Sequence, residues 1–484
     1  MHYSLITKIL GLLLMLFSAI ANLPAMAVSL IYSDGMIAPF AESFFTVFGI
    51  GLFMWLSAYR AKTDLGTRDG FLIVTLFWAV LGSAGSLPFI FSSAVDLSIT
   101  DAVFESLSGL TTTGATVISG LDELPHSILF YRQQLQWLGG MGIIVLAMAL
   151  LPMLGIGGMQ LYRAESPGPV KDNKLVPRLA ETAKALWYLY LSLTLACAAA
   201  YWLAGMSLFD AITHSFSTIA IGGFSTHDAS LGFFNSTAIE LIAIVFMFIA
   251  GINFALHFTA WQRRRIDHYF RDPEFLFYGF ILAIVSALTI SVLYAFDVYS
   301  TIGETFIKGL FQVVSFATTT GFATGDFHEW PLFLPYVLMY AAIIGACAGS
   351  TGGGMKVIRI LLIFKQGFRE VQRLIHPHAV IPIKLGRSPV PDRVVEAVWG
   401  FFAVYVMAFM LMLLALLATG LDIVTAFSAV GACINNLGPG LESVAQTYGG
   451  LNDAAKWILS FAMLLGRLEV FTLLVLFTPM FWRR

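Results

Sequence analysis

Four stretches of the chain carry chemistry at odds with their surroundings: TTTGAT from Thr111, AIGGFS from Ala220, ATTTGFATGD from Ala317 and NNLGPG from Asn435. Each places glycine and small polar residues between long apolar segments. An unpaired N–H or C=O in hydrocarbon is costly, so irregular backbone at membrane depth is tolerated only inside protein or beside water. Buried there, such backbone can present rows of oxygen atoms that replace the hydration shell of a monovalent cation. The competing reading is a set of loops or close helix contacts, the usual role of small-residue clusters in membrane proteins.

Repetition favours the first reading. Aligned on Gly114, Gly223, Gly321 and Gly438, the segments DAVFESLSGLTTTGAT, DAITHSFSTIAIGGFS, KGLFQVVSFATTTGFA and TAFSAVGACINNLGPG each open on a polar residue thirteen positions earlier, followed by a small one. The candidate cation ligands are Thr111, Thr112, Thr113 and Gly114; Ala220, Ile221, Gly222 and Gly223; Thr318, Thr319, Thr320 and Gly321; and Asn435, Asn436, Leu437 and Gly438. Threonines are absent from the second and fourth sets, so contacts common to all four must be main-chain ones. Glycine suits a turn that needs positive φ and a close approach of four strands. Short helices entering at Asp101, Asp210, Lys308 and Thr425 would aim their partially negative C-terminal ends at the centre, which favours a cation.

Composition sets the surroundings. At 58% hydrophobic and 12% charged residues, with a mean hydropathy of +0.82, the chain is far more apolar than a soluble domain. Apolar runs long enough for a helix to span a bilayer, rather than short alternating segments, exclude a barrel. Cys197, Cys347 and Cys433 lack metal-ligand spacing and read as packing residues. The N-terminus resembles a cleavable signal as far as Ala27, but its apolar run continues through VSLIY, so a retained first helix is expected.

The expected fold is an all-α polytopic membrane protein. Two N-terminal helices, 6–31 and 38–59, precede four parallel repeats of helix, pore helix, filter and helix around a pseudo-fourfold ion pore. Spanning segments are expected at 69–91 and 131–155, 182–204 and 236–261, 274–296 and 331–364, and 391–419 and 455–480, giving ten crossings and four re-entrant dips. The corresponding units are 1–68, 69–178, 179–271, 272–390 and 391–484. Of 27 Lys and Arg residues, all but Arg132, Lys308, Lys456 and Arg467 then fall on one face, which the positive-inside rule makes cytoplasmic. Acidic residues such as Asp34, Asp122, Asp228 and Asp326 fall on the other, and would concentrate cations at an opening.

Two features break the spanning pattern. Gly345, Gly349, Gly352, Gly353 and Gly354 interrupt the last helix of the third repeat, a run too glycine-rich to stay helical at about 1 kcal/mol per glycine relative to alanine. The run lacks the Gly-Lys-Ser/Thr ending of a phosphate loop. Arg467 lies deep in the final helix, where a charge is expensive and marks function or a satisfied ion pair. Glu469, two positions on, would lie on a different helix face.

Together, TTTGAT, ATTTGFATGDF, NNLGPG and the closing GRLEVFTLLVLFTP resemble the membrane subunits of the Trk/Ktr/HKT potassium transporter superfamily, and most closely its TrkH/TrkG type. The resemblance covers essentially the whole chain. It implies K+ as the transported ion, a homodimer in the bacterial inner membrane with one pore per protomer, and a cytosolic TrkA-type nucleotide-binding regulatory subunit. It also implies a constriction formed by the glycine loop and Arg467 below the filter. Glycine at 114, where related plant proteins that pass sodium carry serine, implies a potassium preference. No organic cofactor and no nucleic-acid partner are expected, and membrane lipid surrounds the chain. A K+/H+ or K+/Na+ symporter is the alternative, with Glu105, Glu469 and His214 as candidate proton or ion carriers. An intramembrane enzyme would need clustered His, Asp or Glu at catalytic spacing, and the sequence has none.

Overall fold

A computed structural model of the chain describes residues 2–61, 66–140, 142, 179–386 and 388–483. Two long apolar helices, α1 (Tyr3–Tyr32) and α2 (Ile37–Ser57), pair first. They cross where Gly11 meets Gly51, and a methyl group on Gly11 would lie 2.6 Å from the Gly51 oxygen. Small residues at such a crossing let two backbones pack without the hydrophobic drive that water provides. Gln134 from a later helix donates to the Ile20 oxygen at 2.7 Å, so α1 is built into the core.

Four groups of helices follow. The first holds α3 (Thr67–Ala84), α4 (Leu87–Phe91), α5 (Ile99–Leu110) and α6 (His126–Gly140). The second holds α7 (Leu179–Leu203), α8 (Leu208–Ala220), α9 (Thr237–Ala250), α10 (Phe254–Arg263) and α11 (Asp267–Arg271). Next come α12 (Pro273–Ala295), α13 (Ile302–Ala317), α14 (Leu334–Ile344) and α15 (Val357–Ile375). The fourth holds α16 (Asp392–Ala418), α17 (Ile423–Ile434), α18 (Asp453–Arg467), α19 (Phe471–Leu474) and α20 (Pro479–Trp482). A two-residue antiparallel hairpin pairs Lys384 with Pro389.

Six described helices are long and apolar enough to cross a membrane, or seven if α9 and α10 count as one bent span. The expected second crossings of the repeats are less regular than the hydropathy pattern. The segment 131–155 starts earlier, at His126, and passes beyond Gly140 outside the described residues apart from Gly142. The segment 236–261 turns by 90° between α9 and α10. Backbone groups freed at that bend find partners in the glycine-rich loop: Cys347 N–H donates to the Gly251 oxygen and Phe254 N–H to the Gly349 oxygen, each at 3.0 Å. A kink at membrane depth survives when neighbouring chain satisfies it in this way.

The last helix departs furthest from expectation. Arg467 is not deep inside a helix over 455–480 but is the final residue of α18, and Glu469 and Val470 follow with φ of 52° and 57°. Left-handed backbone at a β-branched residue such as Val470 costs roughly 1–2 kcal/mol. An ion pair from Arg359 on α15 to Glu469 accompanies the break.

The four short helices α5, α8, α13 and α17 differ from the spans. In α5 every residue from Ala102 to Leu110 is buried, whereas α2 buries only Phe40, Ser43, Val47 and Gly51. A helix buried all round belongs to a protein interior. All three cysteines are free and buried.

Candidate functional site

The short helices begin alike. Ser98, Ser207, Thr301 and Asp422 are their N-caps, each accepting the N–H three residues on, at 3.0–3.1 Å. Such caps satisfy one of the orphan donors at a helix start. In the third repeat the cap is Thr301, so α13 starts at Ile302, well before Lys308, and runs for 16 residues, against 12 or 13 in the others. Lys308 therefore does not open that helix. It lies within α13 and reaches Glu240 on α9 at 2.6 Å.

They also end alike. Thr112, Ile221, Thr319 and Asn436 all take left-handed backbone, with φ of 55°, 53°, 65° and 53°. The residue after each closes a long turn onto the helix: Thr113 to Ser108, Gly222 to Ser217, Thr320 to Ser315 and Leu437 to Ala432, at 2.7–2.9 Å. Thr112, Ile221, Thr319 and Asn436 themselves donate three residues back, at 2.8–3.2 Å. This pair of bonds is the Schellman ending, which normally places glycine at the left-handed position. Here the glycine comes two residues later, and backbone strain of order 1–3 kcal/mol per non-glycine residue is held in each strand, as at sites where geometry serves a ligand.

The four glycines meet in a closed cycle. A methyl group on Gly114 would lie 2.1 Å from the Gly222 oxygen, one on Gly223 2.0 Å from the Thr320 oxygen, one on Gly321 2.1 Å from the Leu437 oxygen, and one on Gly438 2.6 Å from the Thr113 oxygen. Each glycine thus abuts the carbonyl that precedes the next glycine around the ring. All four have φ between 79° and 97°. Thr113, Gly114, Gly222, Gly223, Thr320, Gly321, Leu437 and Gly438 therefore meet in one ring, and the other eight candidate residues, Thr111, Thr112, Ala220, Ile221, Thr318, Thr319, Asn435 and Asn436, lie just before them at the helix ends.

Side chains brace the strands from behind. The hydroxyls of Thr111 and Thr113 lie 2.8 Å apart, as do those of Thr318 and Thr320. Asn436 donates to the Thr113 hydroxyl at 2.9 Å, and Asn435 accepts from the Tyr405 hydroxyl at 2.9 Å. Tyr448 donates to the Gly438 oxygen at 2.7 Å, and Gln136 to the Gly222 oxygen at 2.6 Å. Among the described residues no N–H or O–H reaches the carbonyl oxygens of Thr113, Gly114, Gly223, Thr320, Gly321 or Leu437. A row of carbonyls with free lone pairs, ringed by protein, can hold a cation.

The loop between α14 and α15 passes against the helix-end side of the ring. Thr351 donates to the Ile219 oxygen at 2.9 Å, Gly353 N–H to the Thr319 hydroxyl at 2.6 Å, and Gly354 N–H to the Asn435 oxygen at 3.1 Å. A methyl on Gly352 would lie 2.7 Å from the Thr318 oxygen. Gly345, Gly349 and Gly354 take φ of 74–76°. Arg467 completes the circuit, touching the Thr112 hydroxyl and the Thr351 oxygen at 3.4 Å and donating to the Gly139 oxygen. Its guanidinium sits 5.0 Å over Trp78. Loop and arginine together contact the first, third and fourth strands and the last turn of α8, which leads into the second.

Of the bases expected outside the cytoplasmic face, three are held in ion pairs. Arg132 meets Glu105 at 2.8 Å with both side chains inaccessible, Lys308 meets Glu240, and Lys456 of the fourth repeat meets Asp101 of the first at 2.5 Å. Arg132 also donates to the Ser225 oxygen in the second strand at 3.2 Å, and Glu105 accepts from Val117 N–H at 2.9 Å. The Lys308–Glu240 and Lys456–Asp101 pairs and the Arg132–Ser225 bond fasten one helix group to another, while Arg132–Glu105 ties α6 to α5 within the first, links that sequence spacing could not reveal. His214, the candidate proton carrier, is held by the Asp210 and Ser225 oxygens at 2.9 Å. Beyond the second strand, His227 pairs with Asp122 and lies 3.6 Å from Asp210. Burial alone would push its pKa down, but the two carboxylates outweigh it and the imidazole lies above its usual value.

Comparison with known proteins places this geometry. A TrkH family model, described as a cation transport protein, matches residues 37–484. The Trk system potassium uptake protein TrkH of Vibrio parahaemolyticus is 59% identical over 485 residues, covering 100% of both chains. TrkG, a Trk system potassium uptake protein of Escherichia coli K12, is 42% identical, covering 100% of this chain and 99% of its own. The crystal structure of the potassium transporter TrkH from Vibrio parahaemolyticus matches with a TM-score of 0.91 at 56% identity, over 100% of each chain. With a family match over most of its length and end-to-end likeness to these relatives, the chain belongs to the TrkH family of cation transport proteins.

Proposed function

We propose that this chain passes K+ across the bacterial inner membrane through a filter built from the four glycine strands, in a channel-like manner. The observation that carries the reading is the closed cycle of glycine-to-carbonyl approaches, which brings main-chain oxygens from four separate segments of one chain together. The names of the relatives, all potassium uptake proteins or transporters, support K+ as the ion. Four short helices ending at the ring add the partially negative ends of their dipoles.

The division into two leading helices and four repeats around a pseudo-fourfold pore follows from the same reading. The loop with Gly345, Gly349, Gly352, Gly353 and Gly354, together with Arg467, closes the path on its cytoplasmic side, and a cytosolic TrkA-type subunit relieves the block. A homodimer with one pore per protomer completes the assembly. Coupled symport is disfavoured by the pairing of Glu105 with Arg132 and Glu240 with Lys308, which leaves these carboxylates bound as structural ions.

The test is uptake of radioactive Rb+ and K+ by liposomes carrying the purified protein. Flux that follows the K+ gradient irrespective of pH, and that rises in Arg467→Ala without any partner, is expected. Vesicles that stay impermeable even with Arg467→Ala would sink the reading.

A further inference from the structure

One register of the ring is not fourfold. Thr113, Thr320 and Leu437 carry side chains there, but position 222 is glycine, and the space belongs to Gln136 of α6, reaching over from the first repeat. A Cβ on Gly222 would lie 2.4 Å from the Gln136 Cδ. Gly222 is not among the positive-φ residues, so glycine is needed for room and not for conformation.

The Gln136 amide is fully buried and oriented from both ends. Its Oε1 accepts from Phe224 N–H at 3.0 Å, which fixes Nε2 as the donor to the Gly222 oxygen at 2.6 Å. The equivalent oxygens of Thr113, Thr320 and Leu437 receive no hydrogen bond among the described residues. Three carbonyls in this layer are therefore free and one is shared.

We propose that Gln136 is a specificity-determining residue, which lowers the field that this layer of oxygens exerts on an ion and so tips the layer toward K+ over Na+. The inference rests on reading the ring as an ion filter. A carbonyl oxygen has two lone pairs, so the Gly222 oxygen can accept from Gln136 and still face the centre. The positive N–H beside it weakens its pull on a cation. Cation selectivity depends on the number and field strength of the ligating dipoles, and conduction requires that an ion be held weakly enough to leave. A stronger field rewards the smaller ion, which repays its larger dehydration cost only where the ligands pull hard.

Gln136→Met removes the donor while keeping a side chain of similar length. Gln136→Ala combined with Gly222→Ala removes it and refills the space with a methyl group. Gln134→Met is the control, since Gln134 is a buried amide of the same helix whose side chain, among the described residues, bonds only to Ile20. In liposomes carrying each purified protein, the K+/Na+ permeability ratio and the K+ concentration for half-maximal flux are read. Both donor-free variants are expected to lower the ratio several-fold and to lower the half-maximal concentration, while the control keeps both. Unchanged ratio and half-maximal concentration in variants that still conduct, or failure of both variants to assemble, would overturn the proposal and make Gln136 a packing residue. Absence of K+ flux from the parent protein and from Arg467→Ala would instead overturn the filter reading itself.

Discussion

Gly353 lies so close to Asn435 that a methyl group on its α-carbon would sit 1.9 Å from the Asn435 carbonyl oxygen. The neighbouring Gly354 N–H bonds to that same oxygen at 3.1 Å. The loop therefore seats against the fourth strand with no room for a side chain. Gly353→Ala should expel the loop from this seat, and Rb+ uptake by liposomes without a regulatory partner is expected to rise severalfold. Uptake below that of the parent, with thermal stability unchanged, would show that the seated loop does not close the path.

Gly114 faces two constraints at once, a φ of 81° and the Gly222 oxygen where its Cβ would fall. Gly114→Ser must push the second strand away and open one side of the ring. The K+/Na+ flux ratio is expected to fall by an order of magnitude or more, and a ratio equal to that of the parent would exclude Gly114 from the selective part of the path.

The Glu105–Arg132 pair is inaccessible on both sides, and Glu105 also holds Val117 at the end of the first strand. Removing one partner leaves a buried charge uncompensated, at a cost of about 3–5 kcal/mol. Arg132→Met should therefore lower the unfolding temperature in detergent markedly, and Arg132→Met with Glu105→Gln should recover part of the loss. A double variant no more stable than the single one would show that the pair is not the cause.

His227 gains its carboxylate partners Asp122 and Asp210 on folding, and its pKa is raised. A raised histidine pKa contributes stability that is full below the unfolded value of about 6.5 and is lost as pH rises through the folded value. Comparing the unfolding temperature of the parent with that of His227→Gln across this range should give a difference that shrinks on the alkaline side. A difference that grows with pH would mean that the neutral imidazole is the favoured form.

Much of this arrangement was legible in the sequence because it is written in glycine. The four ring glycines and the loop from Gly345 to Gly354 each interrupt an apolar pattern, and each proves to lie where a Cβ would strike backbone or would need left-handed geometry. The break after Arg467 was hidden, because Glu469 and Val470 are not residues that announce a left-handed turn, and tertiary contacts impose it. The bend between α9 and α10 was hidden for a related reason, since its stability comes from Cys347 and Gly349 far along the chain. Lys308 misled the alignment because α13 gains a turn at its start, which moves the cap to Thr301 without disturbing the spacing at the ring. Gln136 was invisible because its partner is a main-chain oxygen, and nothing in a helical stretch of HSILFYRQQLQWLGG marks which amide will find one.

A pore assembled from four identical subunits must accept every substitution in quadruplicate. The pore proposed here would be encoded as four unequal copies on a single chain, in which Ile221, Asn436 and two threonines occupy matching places. Evolution can thus retune one quadrant while its neighbours hold the aperture, and an engineer can do the same, grading affinity in quarter steps that a symmetric assembly forbids.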